Sequence, residues 1–539
     1  MISKIRICGL ILLFFISTTQ VEASDSLRYK KLELTAKVWG FAVFKTEKKI
    51  TSPDKELSKL IEATSNEESY DQYLKRIIKW HHQIYKTDAD KSCKCQQELP
   101  SSLSWVTDKT LLGEEFSNYL IGEALVCKKS QTSQFFIKDY LPTFYEDKFT
   151  LKKSDTLLTS DLYLLAGIKY WNIVNYFYPY SSDNTLMWSN QIKEIIPCFD
   201  TLSSYSSYVY TLLNTSQKLK DGHARIYSTW AANHLFKNEV SFETEVYEEN
   251  AIVTRVDSSE TKIRINDLIL QVNGRPISEH LEYWEKYLSS STRGWFLHNV
   301  RNYIFTSQDS TMDLVLSRDG ELFTEKVNLV NSSEKGVAKD NVVYNMNKDS
   351  IGYIDLGNLQ LHHVPALKKQ LQKSKAIIID ARHYPNSTLL ALSSWLVDEQ
   401  KLFAYHSLTN PTCIGNYSLD SSFSNPNESG KYNGTVVFVV DRSTISQGEY
   451  MAMAFMQSSN VITIGRRTAG SVGLTSMFSL PGKISCRIST SKVYFTNHQL
   501  VQQNGIKPSI DLSNSSGITN SDQLIEFAYK YIQKIILKR

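Results

Sequence analysis

The chain has 539 residues, 42% of them hydrophobic, so it can bury a large core but is too long for one compact domain. Its 60 lysines and arginines nearly balance 56 aspartates and glutamates, and no basic block concentrates the net charge of +4. This balance argues against nucleic acid or an anionic membrane as the main partner. We therefore expect a multidomain globular protein.

The first 23 residues have the pattern of a signal peptide. Lys4 and Arg6 precede an apolar run at 10–16, and small residues suited to cleavage follow at 21–23. The run is far shorter than the roughly 20 apolar residues of a bilayer-spanning helix. We expect residues 1–23 to be removed and the chain to be exported, to the periplasm or the extracellular space, where it could associate with the outer cell envelope. No membrane span is expected.

Six cysteines remain outside that segment, an even number in a chain expected to meet an oxidising compartment. This number allows one or more disulfides. Cys93 and Cys95 follow His81 and His82 closely, a mixture of side chains that could bind zinc. Without a second cysteine pair or an HExxH motif, a local disulfide or free thiols is the favoured interpretation. We expect no metal and no organic cofactor.

Two aromatic segments dominate the first part of the chain. Residues 34–44 and 167–178 each place Trp together with Phe or Tyr on one helical stripe, followed by further amphipathic helices. An internal duplication and two unrelated core helices explain this pattern equally well. Either way, residues 25–230 are expected to be mainly helical, as an N-terminal helical domain at 24–155 and a helical region at 156–235.

From Val240 the pattern changes to short alternating runs and turns. The predicted elements are strands at 252–256, 267–272, 314–317 and 322–327, and a helix at 278–288. The phrase at 265–277, in which a strand enters an Asn273-Gly274 turn, resembles the PDZ signature. The resemblance implies a small β-rich, PDZ-like domain at 236–332 that binds extended peptides by strand addition. Any small β-module can carry such a turn.

Beyond residue 348, apolar strands alternate with helices, which indicates an α/β layer on a largely parallel sheet. The alternation of 484–495 predicts an antiparallel or edge strand, and an amphipathic helix at 521–537 closes the chain. We therefore expect an α/β domain at 333–520 and a C-terminal helix at 521–539. The alternating segments are 350–356, 376–380, 389–397, 435–441, 449–457 and 461–464.

Ser446 lies where the strand at 436–440 passes into a helix. A helix N-terminus supplies backbone N–H groups and partial positive charge to a developing oxyanion, which favours Ser446 as a nucleophile. The same residues also fit a helix cap, because Ser446 and Glu449 form the S-x-x-E capping-box pattern. The local pattern alone favours the cap.

Several phrases in order resemble the serine peptidase family that contains the C-terminal processing peptidases and the tricorn core protease. The resemblance spans about residues 160–515 and implies a catalytic domain of the ClpP/crotonase-like type with Ser446 as nucleophile. The phrases are LKDGHA at 219–224, the PDZ-like phrase, AIIIDAR at 376–382, SQGE at 446–449, GRRTAG at 465–470 and NGIKP at 504–508.

The family has two catalytic versions, and the residues discriminate between them. In the processing peptidases a lysine serves as base about 25 residues after the serine, following a glycine, whereas here Gly470 is followed by Ser471. The tricorn-like version uses a histidine from the region before the PDZ module, which matches His223. An imidazole is a good base near neutral pH. The resemblance therefore implies that His223 takes the proton of Ser446.

The remaining site residues are less certain matches to the family. Glu449 corresponds to a processing-peptidase glutamate that orients or polarises the site. Where tricorn-like enzymes place an orienting glutamate, this chain has Gln502 and Gln503. Asp221 is one substitute, although its position also suits the turn before His223.

The oxyanion hole is expected from the backbone N–H groups of Gln447 and of Asn386 or Ser387. Pro385 stands in the segment that is normally glycine-rich, and proline has no N–H to donate.

We therefore predict a secreted serine endopeptidase that hydrolyses extended polypeptides, docked by their C-termini at the PDZ-like domain. The alternatives are a diverged pseudopeptidase that binds peptides or apolar ligands, and an esterase with the same Ser and His pair. The sequence leaves the oligomeric state open.

Overall fold

The computed structural model divides the chain into two compact units, residues 1–212, 409–417 and 476–490, and residues 213–408, 418–475 and 491–539. The predicted signal peptide lies outside the described residues, and the finer domain boundaries stay predictions. Within the described part, no helix has the length and apolar character that a bilayer crossing requires. The described residues are 26–86, 90–94, 98–127, 135–138, 141–151, 158–181, 187–256, 262–332, 342–397, 399–410, 413–424, 431–513 and 521–536.

The first unit is mainly helical, as the sequence pattern predicts. Three short strand pairs add to it, and of these the pattern indicated only the strand that begins at Ile484. The pairs are Asp90–Lys94 with Val126–Cys127, Phe135–Lys138 with Leu141–Phe144, and Thr475–Leu480 with Ile484–Ser489. The helices and helical turns before the second unit span 26–45, Pro53–Ala63, Tyr70–Ile84, Ser101–Thr107, Lys109–Leu112, Glu114–Ala124, Lys148–Leu151, Ser160–Phe177, Trp188–Asn190, Ile192–Asp200 and Tyr205–Gln217.

The two aromatic helices pack directly against each other. A Cβ atom at Gly40 would lie 1.8 Å from Asn172 Oδ1, so only glycine permits this approach. Asn172 Nδ2 donates to the Ala36 carbonyl at 3.0 Å, and the rings of Phe44 and Phe177 meet edge to face. Mutual packing therefore accounts for the aromatic stripe on both helices, and an internal duplication stays untested.

The β-rich region of the second unit forms a six-stranded antiparallel sheet. The predicted elements at 252–256, 267–272, 314–317, 322–327 and 278–288 all appear, with shifted ends. Asn273 and Gly274 both have positive φ, as a tight hairpin turn requires. In spatial order the strands are Glu321–Asn328, Thr311–Arg318, Leu268–Val272, Ala251–Arg255 and Glu243–Val246; Arg275–Pro276 also pairs with Leu268–Val272, and the helices are Ile277–Glu285 and Arg293–Ile304.

Several short elements lie before, between and after the strands of this sheet along the chain. They are the strand Arg225–Tyr227, the helix Thr229–His234, and a small sheet of Asn238–Glu239 with Thr306–Ser307 and Val330–Asn331.

A six-stranded sheet forms the centre of the second unit. It runs in the order β1 to β6; β1 is antiparallel to β2, and all other neighbours are parallel. The apolar segments predicted for this region agree with its strands and helices to within two residues at each end. The strands are β1 (Tyr344–Met346), β2 (Ile351–Asp355), β3 (Ala376–Asp380), β4 (Thr435–Val440), β5 (Val461–Gly465) and β6 (Ile510–Asp511).

Alternate side chains of the central strands enter two separate cores. On one face, Ile377 and Phe438 pack in a core that includes the helices between the strands. On the other face, Ile378 and Val437 pack with Leu524 of the closing helix. A parallel sheet covered on both faces needs apolar residues at successive positions, which explains why its strands lack polar alternation.

The remaining elements surround this sheet. The predicted segment 484–495 is broken into two strands at Thr490, because its second half pairs antiparallel with a different strand. The helices and helical turns are Leu361–His363, Val364–Leu371, Leu389–Leu396, Gln447–Phe455, Ser521–Tyr531 and Ile532–Ile536, and a three-stranded sheet contains Tyr417–Phe423, Leu402–Thr409 and Ser491–Tyr494.

The turn at 441–446, between β4 and the next helix, is tied to the end of β3. Thr444 Oγ1 donates to the Ala381 carbonyl at 3.0 Å, and Ser443 Oγ donates to the Arg382 carbonyl at 2.7 Å. The carboxyl ends of parallel strands are where α/β proteins bind ligands. These two bonds therefore fix Ser446 at the edge where a site is expected.

Gly465, the last residue of β5, has a φ of +134°, and a Cβ atom there would lie 1.9 Å from the Val440 carbonyl oxygen. Backbone cannot yield as a side chain can, so we expect Gly465→Ala to lower the free energy of unfolding by about 3 kcal/mol or more. Thermal unfolding measures this. The matched control, Gly122→Ala on the exposed face of a helix with nothing within 4 Å, should be neutral or slightly stabilising. An unchanged midpoint for Gly465→Ala would contradict the assigned close approach.

Candidate active site

Ser446 is half-buried and has a strained backbone. Its φ of 57° and ψ of −115° lie outside the regions that residues with a side chain normally occupy. Its N–H donates to the Ser471 carbonyl at 2.9 Å and to Glu449 Oε2 at 3.2 Å. These contacts supply part of the energy that holds an unfavourable conformation. Strain of this kind is common at functional sites, so Ser446 is more than a routine helix cap.

Glu449 is fully buried and accepts four hydrogen bonds. Its donors are the N–H groups of Gly470 at 2.8 Å and Ser471 at 2.9 Å, the Thr468 hydroxyl, and the Ser446 N–H. Burial raises the pKa of the Glu449 carboxyl to about 7, although the four donors favour the charged form. One carboxyl thus fastens the turn of Ser446 to the segment at 468–471.

His223 is buried in the loop that follows the helix Tyr205–Gln217. Its Nδ1 lies 2.9 Å from the Ser471 hydroxyl. The same Ser471 accepts the N–H of Ser446 on its carbonyl. His223 and Ser446, which lie more than 200 residues apart in the chain, therefore contact a common residue.

Asp221 is fully buried beside this pair. It accepts the His223 N–H at 2.9 Å, so it does serve the turn, as one of the two sequence interpretations holds. It also accepts from the Ser471 hydroxyl at 3.4 Å, and its Oδ1 lies 3.9 Å from His223 Nδ1. Gln502 Nε2 donates to the same Oδ1 at 3.2 Å. Asp221 therefore occupies the position from which a carboxylate can act on the imidazole.

The two residues expected to form the oxyanion hole are also neighbours. The Gln447 side chain donates to the Asn386 carbonyl at 3.4 Å, and Asn386 Nδ2 is fixed on the carbonyls of Gly357 and Leu359. Gln447 begins its helix, where backbone N–H groups have no intrahelical acceptor. Pro385 is buried within van der Waals reach of Gly448.

Sequence reasoning missed Ser471, which it treated only as the place where a lysine is lacking. Its spacing from Ser446 was the available signal, but its contact with His223 depends on a loop far away in the chain. Of the two glutamines, Gln502 is buried at the site and Gln503 is exposed.

Among the described residues, no group of three or more His, Cys, Asp or Glu could hold a metal ion. Cys95 and the side chain of Cys93 lie outside them. His81, one of the candidate ligands, is buried and stacks on Tyr85, and burial lowers its pKa to about 3. Cys413 is disulfide-bonded, whereas Cys198 and Cys486 are free thiols.

The raised pKa of Glu449 predicts a pH dependence of stability. Between pH about 4.5 and about 7 the carboxyl is protonated in the folded chain but ionised in the unfolded chain, so stability falls as pH rises. Denaturant unfolding at pH 5, 6, 7 and 8 should show this fall, and Glu449→Gln should flatten it. An equal slope in the variant would show that other groups cause it.

Comparison with known proteins gives a family match for one segment of the chain and a similar fold for most of it. Residues 350–512 match the model of peptidase family S41. The fold is similar to that of mature CPAF complexed with lactacystin, with a TM-score of 0.56 and 11% identity over 70% of this chain and 98% of that chain. It is also similar to a CPAF point mutant, with a TM-score of 0.58 and 11% identity over 70% and 97% of the two chains. At these identities the likeness concerns the fold.

No curated protein sequence matches the chain. The matched segment nevertheless contains Ser446, Glu449 and Ser471. Residues 350–512 are therefore a segment similar to peptidase family S41, which supports a serine-type peptidase of that kind.

Proposed function

We propose that this chain is an exported endopeptidase that cleaves extended polypeptides, with Ser446 as nucleophile and His223 as general base. The observation that carries the proposal is the double contact of Ser471. Its carbonyl accepts the Ser446 N–H at 2.9 Å, and its hydroxyl lies 2.9 Å from His223 Nδ1. Ser471 thus links the backbone of Ser446 to the imidazole of His223.

The hydrogen bonds also favour the tautomer that a base needs. The Ser471 hydroxyl donates its proton to Asp221, so its oxygen is left to accept from His223 Nδ1–H. With a proton on Nδ1, Nε2 carries the lone pair. Nε2 would take the proton of the Ser446 hydroxyl during attack on the peptide carbonyl and then give it to the leaving amine. Water would hydrolyse the acyl-enzyme by the same route.

Asp221 would supply the negative charge that stabilises the imidazolium. A second carboxylate at position 502 would lie about 3 Å away and resist ionisation beside the first. Gln502 instead donates a hydrogen bond to Asp221 Oδ1 at 3.2 Å. The acid of this site would therefore come from the loop of His223, not from the end phrase of the family.

The oxyanion would be held at the N-terminus of the helix Gln447–Phe455. The Gln447 N–H lies at this end, and the Asn386 backbone is adjacent through the Gln447 side chain. Gly448 packs near Pro385, and a Cβ atom at position 448 would be 3.7 Å from Pro385 Cδ. This close packing supports a role for the 385–386 segment in the oxyanion hole, although Pro385 itself has no N–H to donate.

The domain roles follow from the same proposal. The antiparallel sheet and two helices within 236–332 support a PDZ-like module that docks an extended peptide by strand addition. The parallel sheet covered on both faces supports a catalytic domain of the ClpP/crotonase-like type. The disulfide-bonded Cys413 supports export to an oxidising compartment, together with the signal-peptide pattern.

Labelling with a serine-reactive fluorophosphonate tests the nucleophile. We expect the wild-type chain to be labelled at Ser446, Ser446→Ala to lose the label, and His223→Ala to react at least about a thousandfold more slowly. Ser513→Ala, which removes an exposed serine, is the matched control. Unchanged labelling of Ser446→Ala would remove Ser446 as nucleophile, and no labelling of the wild type would favour a peptide-binding pseudopeptidase.

Asp221→Asn tests whether Asp221 supplies the negative charge that stabilises the imidazolium. Asparagine removes this charge but can still accept the His223 N–H. We expect kcat to fall by about 10² to 10⁴ and the acidic limb of the pH–rate profile to move to lower pH, since the imidazolium loses its neighbouring charge.

Adding Gln502→Glu to this variant should restore part of the rate, because it returns a carboxylate to the same place. A wild-type pH profile in Asp221→Asn would mean that Asp221 only shapes the turn.

A further inference from the structure

A cavity of about 510 Å³ in the second unit is lined by three cationic side chains, Lys220, Arg293 and Arg467. We call it the basic pocket; its walls also include Ser291, Thr292, Gly294, Thr468, Gln503 and Asn504. None of the described residues that line it is acidic. A cavity with this composition favours an anionic ligand.

The cations differ in how far other groups neutralise them. Arg293 pairs with Glu248, and Glu285 lies 3.5 Å away. Arg467, in contrast, donates to the Asn504 carbonyl at 2.6 Å, and this neutral acceptor does not offset the positive charge of the guanidinium. Arg467 also contributes to the lowered pKa of Asp511. Lys220 is exposed. Lys220 and Arg467 are therefore the cations best able to bind a ligand.

The helix Arg293–Ile304 adds to this field. It begins at the pocket, where its N-cap Thr292 accepts from the Trp295 N–H at 3.1 Å. Helix N-termini carry partial positive charge over their first turn. The pocket thus combines guanidinium, ammonium and helix-terminal charge of one sign.

The basic pocket is built on the backbone that leads to the proposed catalytic residues. Ser291 Oγ donates to the Ala469 carbonyl at 2.6 Å, and the Gln503 N–H donates to the Gly470 carbonyl at 2.9 Å. Lys220 lies three residues before His223, and Arg467 lies four residues before Ser471. An extended chain spans at most about 3.6 Å per residue, so the Cα atoms of Lys220 and Arg467 lie within about 15 Å of those of His223 and Ser471, respectively.

We propose that the basic pocket is a substrate subsite that binds the carboxylate of an aspartate or glutamate side chain within about four residues of the cleaved bond. The inference rests on the proposed endopeptidase function and adds a substrate preference to it. The Arg467 guanidinium suits a carboxylate, which it can bind through two N–H groups. A chain terminus bound so near the cleaved bond would confine the enzyme to removing a few residues, whereas an acidic side chain allows internal cleavage.

A binding selection tests the subsite without requiring turnover. Full-length Ser446→Ala is presented with a random peptide library in two forms, with C-terminal amides and with free acids. We expect peptides with an internal Asp or Glu to be enriched about tenfold in both forms. The enrichment should be lost in Ser446→Ala combined with Lys220→Gln and Arg467→Gln.

The matched control combines Ser446→Ala with Lys369→Gln and Lys373→Gln, which removes the same charge from exposed lysines elsewhere on the second unit. It should retain the enrichment. Equal loss in both variants, or no acidic enrichment at all, would overturn the proposal, as would enrichment that depends on the free C-terminal acid. The labelling of Ser446 is a separate measurement, so failure of the peptidase mechanism and failure of the subsite give different results.

Discussion

The burial of the Glu449 carboxyl is the interaction on which the site depends. Three backbone N–H groups and one hydroxyl converge on it, and each would be costly to bury without an acceptor. Because two of these donors belong to Gly470 and Ser471, the carboxyl fixes the segment that holds both Ser446 and His223. Glu449 holds the backbone of Ser471, and Ser471 in turn contacts the His223 imidazole.

The site differs from the family pattern in which of two neighbouring residues is the acid and which is the neutral hydrogen-bond donor. Asp221 carries the carboxylate near the imidazole, and Gln502 is the neutral donor that faces it. The reverse arrangement, with an acid at 502, is the one that the family resemblance implies. Either order places one negative charge in the same buried space, whereas two would repel each other strongly. The missing acid of the end phrase is therefore not by itself a sign of inactivity.

Much of this arrangement could be predicted from the sequence, for identifiable reasons. The strands at 376–380 and 435–440 are apolar throughout because both faces of their sheet are buried, so their ends were found closely. Ser446, His223 and Glu449 were proposed as site residues by resemblance, since locally Ser446 fits a helix cap. Ser471 was missed because its role arises only when the loop at 219–224 packs beside it. The strands Phe135–Lys138 and Leu141–Phe144 were missed because four residues are too few to establish an alternation.

The wide separation of His223 and Ser446 in the chain has a consequence for folding. Their shared contact with Ser471 closes a loop of more than 200 residues, and closing so long a loop costs entropy that the folding of the intervening modules would reduce. The proposed nucleophile and its proposed base would therefore be apart in a chain whose intervening modules have not yet folded. Proteolytic capacity would appear last in the life of a newly made molecule, which protects neighbouring unfolded chains from premature cleavage.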